Sequence, residues 1–248
     1  MSNYDTVVLD IEGTITPITF VHETLFPYVT SGLKAFLDRV WDSPELKDQI
    51  ELLRKQAKQD VDSKLSEAKL IPTEAEASPE EIKSSVIENI NWQMKADRKI
   101  GALKSFQGYM WKEGYESGEL RGVIYDDVLP RLDQWIAEGK KIYIYSSGSV
   151  PAQKLLVGFS TKGDLSKYFS GYFDTKIGLK IEPESYKKIA QEINKECSSI
   201  LFVSDNIKEI VAANEVGYQV VISDRPGNAP LGDESKAFKI ITSFDQIN

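Results

Sequence analysis

Thr6-Val7-Val8-Leu9-Asp10-Ile11-Glu12-Gly13-Thr14 decides the fold. Its first four residues are apolar or β-branched without alternation, as expected of a strand covered on both faces in a parallel sheet. Two acids one residue apart then follow, with a glycine able to turn sharply. Working outward, similar runs recur at Ile142-Tyr143-Ile144-Tyr145, Ile200-Leu201-Phe202-Val203, Val220-Val221-Ile222 and Ile240-Ile241. Between them lie segments with an apolar helical face: Val128, Leu129, Leu132, Trp135 and Ile136; Tyr186, Ile189, Ala190, Ile193 and Cys197; and, less regularly, Ile207, Ile210, Val211 and Asn214. Strands alternating with helices predict an α/β fold with a doubly wound parallel sheet, in which ligands bind beyond the carboxyl ends of the strands.

One long interruption breaks the alternation. From Pro17 to Arg121 no strand pattern occurs, whereas Leu46, Ile50, Leu53 and Ala57 stand at helical spacing. The predicted organisation is therefore a core of residues 1–16 and 122–248 with a helical cap inserted at 17–121. Within the insertion, Lys58 to Glu81 is charged, lacks aromatic residues and contains Pro72 and Pro79, and is read as a solvated excursion.

The chain has 248 residues, 41% of them hydrophobic, enough for a full core. Its net charge is -8, and no long basic block offers a footprint for nucleic acid. No stretch suits a membrane span and no leader pattern opens the chain, so an intracellular protein, cytoplasmic and also nuclear, is expected. A monomer is expected as well. Cys197 is the only cysteine, which excludes an intramolecular disulfide and a multi-cysteine zinc site.

Chemistry gathers at the strand ends. Asp10 is placed to attack phosphorus, and an acid two positions on, Glu12, to protonate the leaving oxygen and activate water. Ser146 and Ser147, in Ile144-Tyr145-Ser146-Ser147-Gly148-Ser149, offer hydroxyls and N–H groups to phosphate oxygens, while Ser149 is suited to cap the helix begun by Val150-Pro151. Val203-Ser204-Asp205-Asn206 brings another carboxylate to the same edge, so that Asp10 and Asp205 can share a magnesium ion. Two carboxylates facing a phosphate dianion repel it by on the order of 16 kcal/mol at ~4 Å and an effective dielectric near 20. A cation is needed, and Lys180 lies in a loop between the strands; Lys187 and Lys188 read as a solvated helix face. Whether Asn206 or Glu209 assists the metal stays open, with Asp205 alone taken as ligand.

These elements in order resemble the haloacid dehalogenase superfamily. Asp10-Ile11-Glu12-Gly13-Thr14, Phe26-Pro27-Tyr28, Trp92-Gln93-Met94, Gln107-Gly108-Tyr109-Met110-Trp111, Phe173-Asp174-Thr175-Lys176 and Arg225-Pro226-Gly227-Asn228-Ala229, with the serine motif, resemble the enolase-phosphatases (acireductone synthases) of methionine salvage. The resemblance implies that 2,3-diketo-5-methylthiopentyl-1-phosphate is enolised and dephosphorylated to the acireductone, with one magnesium ion per chain. It implies Asp10, Glu12 and Lys180 as catalytic residues, Ser146, Ser147 and Lys180 as substrate-binding residues, and Asp10, Glu12 and Asp205 as the metal site. Rival readings are a phosphatase for another small phosphomonoester and a non-catalytic binding protein on the same fold. His22 has no metal-ligand partner at suitable spacing and is read as structural, Met110 as cap core, and Cys197 as buried and inert on an apolar helix face.

Overall fold

The computed structural model describes residues 4–247. Six parallel strands form one sheet in the order β3-β2-β1-β4-β5-β6: β1 Thr6–Leu9, β2 Lys141–Tyr145, β3 Gly171–Phe173, β4 Ile200–Ser204, β5 Gln219–Ser223 and β6 Lys239–Ile241. The chain order reverses direction beside β1, which pairs with β2 on one side and β4 on the other. Such a switch opens a crevice past the strand ends. Every expected strand is present. The short β3 escaped the sequence reading because it begins with a glycine that packs under the Tyr143 ring.

The chain divides into two compact units, one made of the segments up to Glu23 and from Tyr115 onward, the other of Thr24–Gly114. Helices follow in the order α1 Ile18–Phe20, α2 Phe26–Val40, α3 Pro44–Asp62, α4 Pro79–Lys95, α5 Gly101–Ser117, α6 Val128–Ala137, α7 Val150–Gly158, α8 Pro183–Glu192 and α9 Ile207–Glu215, with a π-helical turn at Val21–Leu25. No helix among the described residues is long and apolar enough to cross a membrane.

In the sheet unit, α8 and α9 bury Tyr186, Ile189, Ile210 and Ala213 against Val8, Phe202 and Ile222. Val7, Leu9, Leu201 and Val203 point the other way by strand alternation and are buried too, which is why these strands read as continuous apolar runs. Each large side chain so buried contributes about 1.5–3 kcal/mol. Ile136 and Val211, read as core-facing, are exposed. Cys197 corrects another expectation: α8 ends at Glu192, and the thiol sits half-buried in a 3-10 turn, Cys197–Ser199.

The other unit is helical. Phe36, Leu46, Leu53, Val86, Ile90, Phe106 and Met110 form its core, with the Phe36 ring edge-on to Phe106 and Tyr109. Ser43 and Ser78 cap α3 and α4, the latter in a reciprocal capping box with Glu81. The segment Lys58 to Glu81 is less solvated than its composition suggests. It completes α3 and starts α4, buries Ile71 in the core, and hides Asp60 in an ion pair with Arg98.

Candidate active site

Parallel pairing fixes the first contacts. Leu9 lies beside Val203, and the Asp10 N–H donates to the Val203 carbonyl at 3.0 Å, so the residues after β1 and β4 leave the sheet together. Ser146 follows β2, its N–H donating to Phe173 O at 3.1 Å. Asp10, Ser146, Asp174, Asp205 and Asp224 thus each follow the last residue of a strand, at one edge of the sheet.

Lys180 joins this edge. Its ammonium lies 2.6 Å from Asp10 Oδ1 and 2.7 Å from Glu209 Oε2, with all three residues buried. The Ser204 hydroxyl lies 3.0 Å from Asp10 Oδ2 and 2.9 Å from Glu209 Oε2, so its single proton is shared between two carboxylates, while its oxygen accepts the Asn206 N–H. Asp10 Oδ1 also accepts the Ile11 N–H at 2.8 Å, which fixes the carboxylate's orientation.

Lys180 is placed by its backbone. Tyr145, Ser185 and Tyr186 donate their hydroxyls to the carbonyls of Gly178, Leu179 and Lys180 at 2.9, 2.8 and 2.6 Å. At Gly178 (φ 150°) a β-carbon would come within 2.1 Å of Ser185 Oγ, so only glycine lets the loop lie this close to α8. Asp174 ties the neighbouring loops together, accepting the N–H groups of Val150 and Lys176. The Gln153 amide donates to Gly148 O and Phe173 O, both at 2.8 Å, and holds the turn that carries Ser146 and Ser147. Ser149 caps α7, as expected.

The electrostatics are lopsided. Burial disfavours the Lys180 charge, but the carboxylates of Asp10 and Glu209 outweigh that and hold its pKa above the ordinary lysine value. Burial, with Asp10 and Glu209 adding repulsion, pushes the Asp205 carboxyl up to about 7. Burial pushes Glu209 upward as well, with Lys180 opposing it. Three carboxyl groups therefore answer to one ammonium.

A family model for haloacid dehalogenase-like hydrolases matches residues 4–217. The chain belongs to that family. The hydrolase is 47% identical to "Enolase-phosphatase E1" of Xenopus tropicalis over 98% of its own length and 93% of the relative's, and 48% identical to the protein so named in Acyrthosiphon pisum over 99% and 97%. It is 49% identical to a Populus trichocarpa protein named as a probable bifunctional methylthioribulose-1-phosphate dehydratase/enolase-phosphatase E1, of which it spans only 46%. The crystal structure of the UTR4 protein of Saccharomyces cerevisiae matches with a TM-score of 0.77 and 34% identity, covering 98% of this chain and 100% of that one. CbbY from Rhodobacter sphaeroides, at 12% identity and a TM-score of 0.58, shares the fold.

In this hydrolase the structure brings Asp10, Lys180 and Glu209 into direct contact, and sets Asp205 over the Gly13 turn. A β-carbon on Gly13 would lie 2.5 Å from Asp205 Oδ2, and its φ of 68° also calls for glycine. Glu12 and Ser147 are half-buried close by in sequence, Glu12 bridging to Thr16. Lys187 and Lys188 are exposed on α8, as expected. Among the described residues, no three His, Cys, Asp or Glu side chains converge on a metal position as they stand. Asp10, Glu12 and Asp205 are therefore not a preassembled three-carboxylate cage. The donor chemistry still suits magnesium, which uses one or two carboxylates and takes its remaining oxygens from water and substrate. Such a cation would offset the surplus negative charge around Lys180.

Of the two residues left open in the sequence, Asn206 is exposed and caps α9 by accepting the Lys208 N–H, whereas Glu209 faces Lys180. Glu209 lies five residues after Ser204 on the first turn of α9, and that spacing was its available signal. Asp174 and Asn228 lay inside motifs that carried the resemblance, but nothing local announced their partners.

Proposed function

We propose that this chain is an enolase-phosphatase that converts 2,3-diketo-5-methylthiopentyl-1-phosphate to the acireductone and phosphate. The contact of a buried strand-end Asp10 with Lys180, beside Asp205, carries the reading. In the first half-reaction one substrate proton leaves carbon and another is delivered to oxygen, giving the enol. Asp10 then attacks phosphorus, and the ester P–O bond breaks as Glu12 protonates the departing oxygen. Water, deprotonated by Glu12, hydrolyses the aspartyl-phosphate and regenerates Asp10. Lys180, Ser146 and Ser147 bind phosphate oxygens.

One magnesium ion, held by Asp10, Glu12 and Asp205, would neutralise the charge that otherwise repels the substrate. The Glu12 carboxyl reaches about 1.5 Å further than that of an aspartate, which suits it to serve protons at carbon as well as oxygen. The residue 17–121 insertion is assigned substrate selection. Cytoplasmic and nuclear residence as a monomer, without a nucleic-acid partner, belongs to the same reading.

Turnover of the diketone phosphate with magnesium tests it. Phosphate release should stop with EDTA and fall by on the order of a thousandfold or more in Asp10→Asn. Release that survives both interventions overturns the mechanism. Faster hydrolysis of another phosphomonoester from a panel overturns the substrate assignment alone.

A further inference from the structure

Asn228 lies in the loop after β5, far along the chain from the nucleophile, yet its amide reaches the nucleophile turn. Its Nδ2 donates to Gly13 O at 2.9 Å and Ser223 O at 3.1 Å, so both amide protons are used and two carbonyls fix which way the amide faces. The loop behind it is anchored. Arg225 donates to Asp127 Oδ2 at 2.7 Å and Thr242 O at 2.9 Å, and its guanidinium lies over the rings of Tyr125 and Phe244.

The opposite side of the amide is different. Asn228 Oδ1 is buried and accepts no hydrogen bond from the protein among the described residues. It lies 2.7 Å from the point a Gly13 β-carbon would take, and Asp205 Oδ2 lies 2.5 Å from that same point. Two acceptors, one neutral and one a carboxylate, thus converge on the Gly13 α-carbon, with no protein donor for the amide oxygen among the described residues. A buried acceptor without a partner is unfavourable, so this arrangement calls for a donor that can sit beside a carboxylate. Water bound to a divalent cation is such a donor, since its oxygen faces the metal and both protons point outward.

We infer that Asn228 is a positioning residue for the hydrated metal: its Oδ1 accepts a hydrogen bond from a metal-bound water next to Asp205, while its Nδ2 clamps the Asp10-to-Thr14 turn. The inference rests on the magnesium reading above and deepens it. Partners outside the ligand set typically change metal affinity 10–100-fold.

Two substitutions separate the two ends of the amide. Asn228→Ala loses both functions, whereas Asn228→Asp keeps an acceptor towards Asp205 and loses both donations. Magnesium chloride is titrated calorimetrically into substrate-free protein at pH 8, and denaturation is followed in parallel. The expected result is roughly tenfold or greater weakening in Asn228→Ala, affinity in Asn228→Asp at least equal to the parent protein, and a similar stability loss in both. Asn228→Ser, whose hydroxyl falls short of the Gly13 α-carbon, replaces alanine if that variant does not melt cooperatively. Equal weakening in the aspartate and alanine variants, or none in either, overturns the inference while leaving the magnesium reading intact. A parent protein that takes up no magnesium removes both.

Discussion

Both units bury a carboxylate, and they treat it in opposite ways. In the helical unit Asp60 is met by the two-pronged guanidinium of Arg98, Nη2 to Oδ1 at 2.8 Å with Nη1 closing on Oδ2, and by the Gln56 amide at 2.8 Å. The hydrogen bond from Arg98 outweighs burial and holds the Asp60 carboxyl below its ordinary range. In the sheet unit Lys180 is divided between Asp10 and Glu209, and Asp205 is left to burial and repulsion, which raise it to about 7. A hidden charge that is fully matched holds a structure together; one left unmatched is available for chemistry.

Removing the cation on each side gives the largest test of that contrast. Lys180→Met and Arg98→Met should each cost about 3–5 kcal/mol in denaturant unfolding, the Arg98 value towards the lower end because that side chain keeps 17% exposure. Millimolar magnesium should restore much of the loss in Lys180→Met and none in Arg98→Met. Equal recovery in both would erase the distinction.

A smaller effect should appear with pH. Asp205 has a folded pKa above its unfolded value, so between about pH 4 and pH 7 the folded protein holds a proton that the unfolded chain has released. Stability of the metal-free protein should therefore decline as pH rises through that window, and Asp205→Asn should flatten the decline. Asp60, with its pKa lowered, contributes in the other direction: its support is present above its unfolded pKa near 3.8 and is lost as pH falls through its folded pKa. Denaturant midpoints in EDTA from about pH 2 to pH 8 measure both, Asp205 above pH 4 and Asp60 below it.

The smallest effect concerns placement. Tyr186→Phe removes the hydroxyl donated to the Lys180 carbonyl and should cost about 1–2 kcal/mol. The kcat should fall more than KM rises, because the ammonium shifts rather than disappears. An unchanged kcat would make that hydroxyl purely structural.

Much of this is legible in the sequence alone. Buried parallel strands announce themselves by apolar runs without alternation, and that signal located Asp10, Ser146 and Asp205 at strand ends. Lys180 could be told from Lys187 and Lys188 because the latter share a helix with Tyr186 and Ile189. What stayed hidden depends on partners distant in sequence. Asp60 reads as one more charge in a polar stretch until Arg98, 38 residues on, is seen to enclose it. Asn228 has no local pattern at all, since its meaning lies in a carbonyl 215 residues away.

Gly13 carries one last consequence. The position its β-carbon would occupy is where Asp205 and Asn228 both lean, so even alanine, the mildest replacement, would evict a carboxylate as well as straining the turn. A single hydrogen atom at that α-carbon is thus as much a part of this corner of the molecule as any acid around it, and a saturation screen should find this position less forgiving than many in the hydrophobic interior.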